Sequence, residues 1–114
     1  MRIEIKGRNV TIGDELRERI EKRFLKIAKQ VSELAEMEIE LSEERNPSIA
    51  ESQVAEATLR LKGTTPRAKE RSDSMNRSIN EVADELTRQV KRHRDKRRAR
   101  RLSAKAEPRP AASP

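Results

Sequence analysis

Nine cationic side chains lie between Arg88 and Arg101 (Arg88, Lys91, Arg92, Arg94, Lys96, Arg97, Arg98, Arg100 and Arg101), against one acid, Asp95. The whole chain carries +7, less than this stretch alone, and residues 1–87 hold 16 basic and 18 acidic side chains. The protein is therefore near-neutral with one concentrated cationic element. A solvated face normally mixes signs; a one-signed run repels itself unless an anion relieves it. The natural partner is a polyanion, because each phosphate neutralised releases condensed counterions. Nucleic acid is the leading expectation, with a membrane surface or an acidic protein as alternatives. Membrane binding is weakened by the absence of Trp and Tyr beside the charges.

A second basic row, Arg19, Lys22, Lys26 and Lys29, is spaced three, four and three residues apart and is diluted by Glu15 and Glu18. Two such rows on one side of a sheet would form a channel. Other chemistry is poorly served. His93 is the one histidine, and no nucleophile or paired carboxylate accompanies it at a recognisable spacing. It reads as the polar end of an apolar stripe or as part of the RNA contact. Asp84 and Glu85, or Glu43 and Glu44, resemble no hard-cation site. Cysteine is absent, which removes disulfides and thiolate metal sites, and the three glycines are too far apart for a phosphate-cradling loop. No catalytic residue, metal or cofactor is expected.

These residues need elements to position them. Residues 2–6 alternate, with Ile3 and Ile5 on one face, and predict a strand broken at Gly7-Arg8-Asn9. Gly13 reads as a helix N-cap with Asp14 and Glu15 in the first turn. Leu16, Ile20, Phe24, Ile27 and Val31 form one helical stripe, and Leu25, off it, is expected at a corner of the core. Met37 to Leu41 alternate as a second strand. Residues 43–48 read as a loop, with Pro47 barring helix. Ala55, Ala57, Leu59 and Leu61 line a third strand. A turn at residues 62–65 leads to a short fourth strand over 66–71, whose proline places it at a sheet edge. The last helix opens at Asp73 or Ser74, and Met75, Ile79, Val82, Leu86 and Val90 form its stripe. His93 and Arg97 come next on that face, so the helix should dock through its first turns and project beyond the body. Residues 106–114 are Pro/Ala-rich and read as a tail or linker.

The expected fold is α+β, in the order β-α-β-β-β-α, with two helices on one face of a four-stranded sheet. The other face would be polar: Arg2, Glu4, Lys6, Glu38, Glu40, Thr58, Arg60 and Lys62. It lacks aromatics, which excludes base stacking on the sheet in the manner of RNA-recognition motifs. The acids and bases at the N-terminus do not form a signal peptide, and the expected location is the cytoplasm.

Two stretches resemble the ribosome hibernation promoting factor family, also called the ribosome-associated inhibitor or sigma-54 modulation protein family. One is Ile5-Lys6-Gly7-Arg8-Asn9-Val10 followed by Leu16-Arg17; the other runs from Leu86 to Lys96, with Arg88-Gln89 and Lys91-Arg92-His93-Arg94-Asp95-Lys96. Ala57-Thr58-Leu59 and the turn at Gly63 fall in register. The resemblance covers about residues 1–97 and implies a ribosome-binding domain there, with 98–114 as basic helix end and tail. It implies binding to rRNA of the small ribosomal subunit, in competition with mRNA and tRNA, and translation inhibition by occlusion under stress or in stationary phase. Its RNA contacts would fall on Arg23, Lys26, Arg88, Lys91, Arg92, Arg94 and Lys96. With Lys22, Lys29, Arg97 and Arg98 from the two basic rows, these complete the candidate set. The chain departs from the family pattern at Ser74-Met75-Asn76 and Ile79-Asn80. Nothing resembles the further domain by which long members pair ribosomes, so ribosome dimerisation by this chain alone is not expected. The competing readings are a generic double-stranded RNA or DNA module and an adaptor for an acidic protein.

Overall fold

The fold is described from a computed structural model, covering residues 1–46 and 48–106. Its elements are β1 (Arg2–Arg8), α1 (Asp14–Arg23), α2 (Leu25–Ala28), β2 (Glu36–Glu43), β3 (Gln53–Arg60), β4 (Arg67–Ser72) and α3 (Met75–Ala106). The strands form one sheet in the order β1-β2-β3-β4. β1 pairs parallel with β2, and the other two pairings are antiparallel. A parallel neighbour requires a crossover, which α1 and α2 supply.

Register sets the faces. Ile3 lies opposite Met37 and Ile5 opposite Ile39; across the next ladder Met37, Ile39 and Leu41 meet Leu59, Ala57 and Ala55. Strand alternation puts all of these on one side. Ile20, Phe24 and Ile27 from the first helical segment pack there, as do Ile79, Val82, Ala83, Leu86 and Val90 from α3. The expected α+β architecture, with the helices on one face of the four-stranded sheet, is the one observed.

The other face is covered by charge. Lys6 Nζ lies 3.1 Å from Glu38, Arg60 3.4 Å from Glu38 and Arg8 3.4 Å from Glu40. The hydrogen bond from Lys6, then its charge, hold the Glu38 carboxyl below the usual carboxylate range. Val54 is buried on this side, with Arg8, Glu40, Glu56 and Arg71 around it. Long charged side chains cover apolar surface with their stems, and the sequence reading missed this residue.

Several boundaries differ from expectation. Gly7 does not end the first strand: Gly7 pairs with Leu41 and Arg8 with Ser42, and the turn comes at Asn9, with φ of 60°. Gly7 serves a close approach. A Cβ there would sit 2.3 Å from the Val10 carbonyl oxygen. Gly7→Ala is accordingly expected to destabilise by about 1–3 kcal/mol, read as a lower denaturant midpoint. The first helix is interrupted at Phe24 (φ −93°, ψ 2°). Hydrogen bonds from Phe24 N to Ile20 O and from Ala28 N to Phe24 O keep the helical register, so the apolar stripe survives the break. Leu25 does not reach the core; it is 50% exposed.

β4 is an edge strand, as its proline suggested, with Pro66 just outside it. Gly63 turns the chain with φ of 86°, a conformation natural to glycine. Ser74 caps α3: its carbonyl accepts from Ser78 N at 3.0 Å and its hydroxyl from Arg77 N at 3.4 Å. Ser78, fully buried, donates to the Gln53 carbonyl at 2.7 Å and fixes the start of α3 on β3. Pro47 and residues 107–114, part of the expected loop and most of the expected tail, lie outside the described residues.

Candidate nucleic-acid interface

α3 is 32 residues long, roughly 48 Å at the helical rise. Its first half is clamped to the sheet by Ile79, Val82, Leu86 and Val90, each at most 3% exposed. Past Val90 the apolar stripe ends. His93 is half-buried where the helix leaves the body, and residues 94–103 are all exposed. The helix crosses residues 97 and 98 without a break. The expected docking and projection of this helix are thus both found.

α1 runs alongside α3 in the same direction, because Arg19 reaches Asn76 and Arg23 reaches Asn80 and Asp84. Arg19 donates to Asn76 Oδ1 at 2.6 Å; Arg23 donates through Nε to Asn80 Oδ1 at 3.0 Å and forms an ion pair with Asp84. Asn76 and Asn80, the departures noted above, are therefore the residues that receive the arginines of α1. The pairing is solvent-accessible, with Asp84 56% exposed. Asp84→Asn is expected to cost only roughly 0.2–1 kcal/mol in chemical denaturation.

These contacts sort the candidate residues. Arg23 is engaged across the helix seam. Arg88 is engaged on its own helix, where Nε and Nη2 donate to Glu85 at 3.1 and 2.8 Å. That bond, then one from Gln89, keeps the Glu85 carboxyl below the usual range. Gln89 also donates to the Arg67 carbonyl of β4 at 2.8 Å, tying the helix to the edge strand. The other nine, Lys22, Lys26 and Lys29 on the first layer and Lys91, Arg92, Arg94, Lys96, Arg97 and Arg98 on α3, are exposed. None of them has an ion-pair partner among the described residues. The two basic rows lie in one helical layer, but the seam between them is closed near the N-terminus of α3 by Arg19 and Arg23. Positive charge free to meet a ligand is concentrated on the projecting half of α3.

Sequence reasoning missed a cleft at the root of this rod. It lies between residues 30–32, the β3–β4 turn at Leu61 and Lys62, and α3 from Val90 to Arg101. Arg101, outside the candidate set, lines it. The available signal was the continuation of the docked stripe through His93 and Arg97. Among the described residues no group of three or more His, Cys, Asp or Glu could hold a metal ion. No described helix is long and apolar enough to cross a membrane.

The described residues thus form a two-layer α+β domain that carries an exposed cationic helical rod. The family model described as "Sigma 54 modulation protein / S30EA ribosomal protein" matches residues 3–98, and the chain belongs to that family. It is 30% identical over 99 residues to a ribosome hibernation promoting factor of Acinetobacter guillouiae, covering 82% of this chain and 88% of that one. It is 29% identical over 97 residues to a ribosome hibernation promotion factor of Picosynechococcus, covering 84% of this chain but 50% of the other; the chain thus spans about half of that relative's length. Among solved structures, the N-terminal domain of Thermus thermophilus Protein Y superposes with a TM-score of 0.69 at 26% identity, over 82% of this chain and 99% of that domain. A ribosomal subunit interface protein from Coxiella burnetii, at 22% identity and a TM-score of 0.70 over 83% and 99% of the two chains, shares the fold.

Proposed function

We propose that this chain is a ribosome hibernation factor acting in the cytoplasm. It binds rRNA of the small ribosomal subunit in the channel used by mRNA and tRNA, and inhibits translation by occupying that channel, without catalysis. Idle ribosomes are thereby protected under stress or in stationary phase. The observation that carries this reading is the segregation of unpaired cations onto the free half of α3, on a body that is otherwise neutral. The names of the Acinetobacter and Picosynechococcus relatives support it.

In this role residues 1–97 are the ribosome-binding unit and 98–106 continue its basic helix. Lys91, Arg92, Arg94, Lys96, Arg97 and Arg98 contact phosphates, and Lys22, Lys26 and Lys29 add a flanking row. Arg23 and Arg88, engaged with Asp84 and Glu85, make weaker contacts than the rest.

The test is co-sedimentation with purified small subunits, with and without mRNA and initiator tRNA, against a free RNA duplex. Saturable binding displaced by mRNA and tRNA but not by duplex is the expected outcome. Equal displacement by any duplex would reduce the protein to a generic double-stranded RNA or DNA module. Association that resists nuclease would point to an acidic protein instead.

A further inference from the structure

The cleft at the root of the rod has a composition unlike the rest of the surface. Its floor is apolar, built from Val31, Leu61 and Val90 on three different segments. Its rim is cationic, with Arg94, Arg97, Arg98 and Arg101 along one wall and Lys62 on the other. Among the described residues no Asp or Glu lines it, in a chain with 20 acids. Its volume is about 480 Å³, within the span of small-ligand sites.

We propose that this cleft accepts one unstacked base of a single-stranded RNA segment, whose flanking phosphates lie on the α3 arginines. This rests on the RNA-binding reading above and specifies which form of RNA the rod engages. Arg97 stands about 4.5 Å beyond Arg94 along the helix, and Arg101 about 6 Å beyond Arg97. That ladder matches the backbone of an extended strand better than a single anion. Unstacked bases are held by apolar or aromatic contact and by guanidinium planes. His93 lines the cleft and offers the ring the sheet face lacks. An amphipathic acidic helix would need a groove several turns long for its apolar stripe; three floor residues are too few for that, whereas the cleft has ample room for a single base.

His93 is the one histidine, so its ring resonances are an unambiguous proton NMR reporter. The full-length protein is titrated with a short single-stranded RNA, with the same strand carrying abasic sites, and with a duplex. The base-bearing strand is expected to bind roughly tenfold tighter than the abasic one and to shift the His93 ring signals upfield. Val31→Gln combined with Leu61→Gln is expected to erase that preference and leave abasic binding unchanged. Should the double variant melt, His93→Ala replaces it with a smaller loss of the same sign. Equal affinity for both strands with an unmoved His93 would overturn the proposal, as would displacement of the RNA by an equimolar acidic peptide whose leucines recur at helical spacing. Subunit co-sedimentation separates the two ideas. Tight subunit binding without base preference removes the cleft proposal alone; base preference without saturable subunit binding removes the hibernation reading and keeps the cleft.

Discussion

Replacing Lys91, Arg92, Arg94, Arg97 and Arg98 together by glutamine is expected to weaken small-subunit binding about a thousandfold near physiological salt, and to abolish translation inhibition with it. The magnitude follows from counterion release: each phosphate contact contributes roughly 0.7–0.9 to the log–log salt slope. Five contacts account for a slope near −4, which the variant should lose. The fold should survive, because all five side chains are exposed and lie beyond the last buried residue of the stripe, Val90. Glutamine also keeps high helix propensity, and removing like charges relieves repulsion along the rod. Circular dichroism and a denaturation curve check the fold while salt-titrated co-sedimentation reads the binding. Arg88→Gln is the internal control. Its guanidinium already holds Glu85, so its loss should change affinity far less than loss of Arg94 or Arg98. Undiminished subunit binding by the five-fold variant would remove the rod from the interface.

Phe24→Ala is expected to cost about 3–5 kcal/mol, the usual range for truncating a buried aromatic. Phe24 is the one aromatic residue of the chain and is 0% exposed. It sits at the junction of α1 and α2, against a core whose other members are aliphatic. Small domains have total stabilities of about 5–15 kcal/mol, so this one change should leave a large unfolded fraction. The readout is the midpoint of urea denaturation, which should fall without a change in slope. Leu25→Ala, one position away, should be nearly silent because Leu25 is 50% exposed. A loss below about 1 kcal/mol at Phe24 would mean that the cavity collapses and that the stripe is less tightly packed than its burial indicates.

The pair Phe24 and Leu25 shows how far pattern reading reaches. The 3.6-residue spacing put Phe24 on the stripe and Leu25 off it, and only the degree of burial of Leu25 was misjudged. Apolar character raises the expectation of burial, yet much of a folded surface is apolar. Gly7 was misjudged for a different reason. A glycine inside an alternating segment reads as a break, whereas here it admits the Val10 carbonyl, a contact made by chain that has already turned back. Val54 escaped because its cover comes from charged stems on all four strands, a form of burial that no single-strand alternation reports.

Taken alone, the amino-acid order determined the β-α-β-β-β-α succession, though not the break at Phe24, together with the core-facing stripes and the segregation of positive charge to the end of the last helix. These follow from local periodicity and local composition, which a linear chain carries in full. Tertiary structure decided which cations remain available. Arg19 and Arg23 meet Asn76, Asn80 and Asp84 at separations of 57 to 61 positions. No spacing rule within one helix can report a partner on another. The cleft was likewise assembled from three segments that are distant in sequence, joined only when α3 docks along the first helix and over the β3–β4 turn. Charge is written in the sequence; whether a charge is spent inside the molecule or offered to a partner depends on what the fold places beside it.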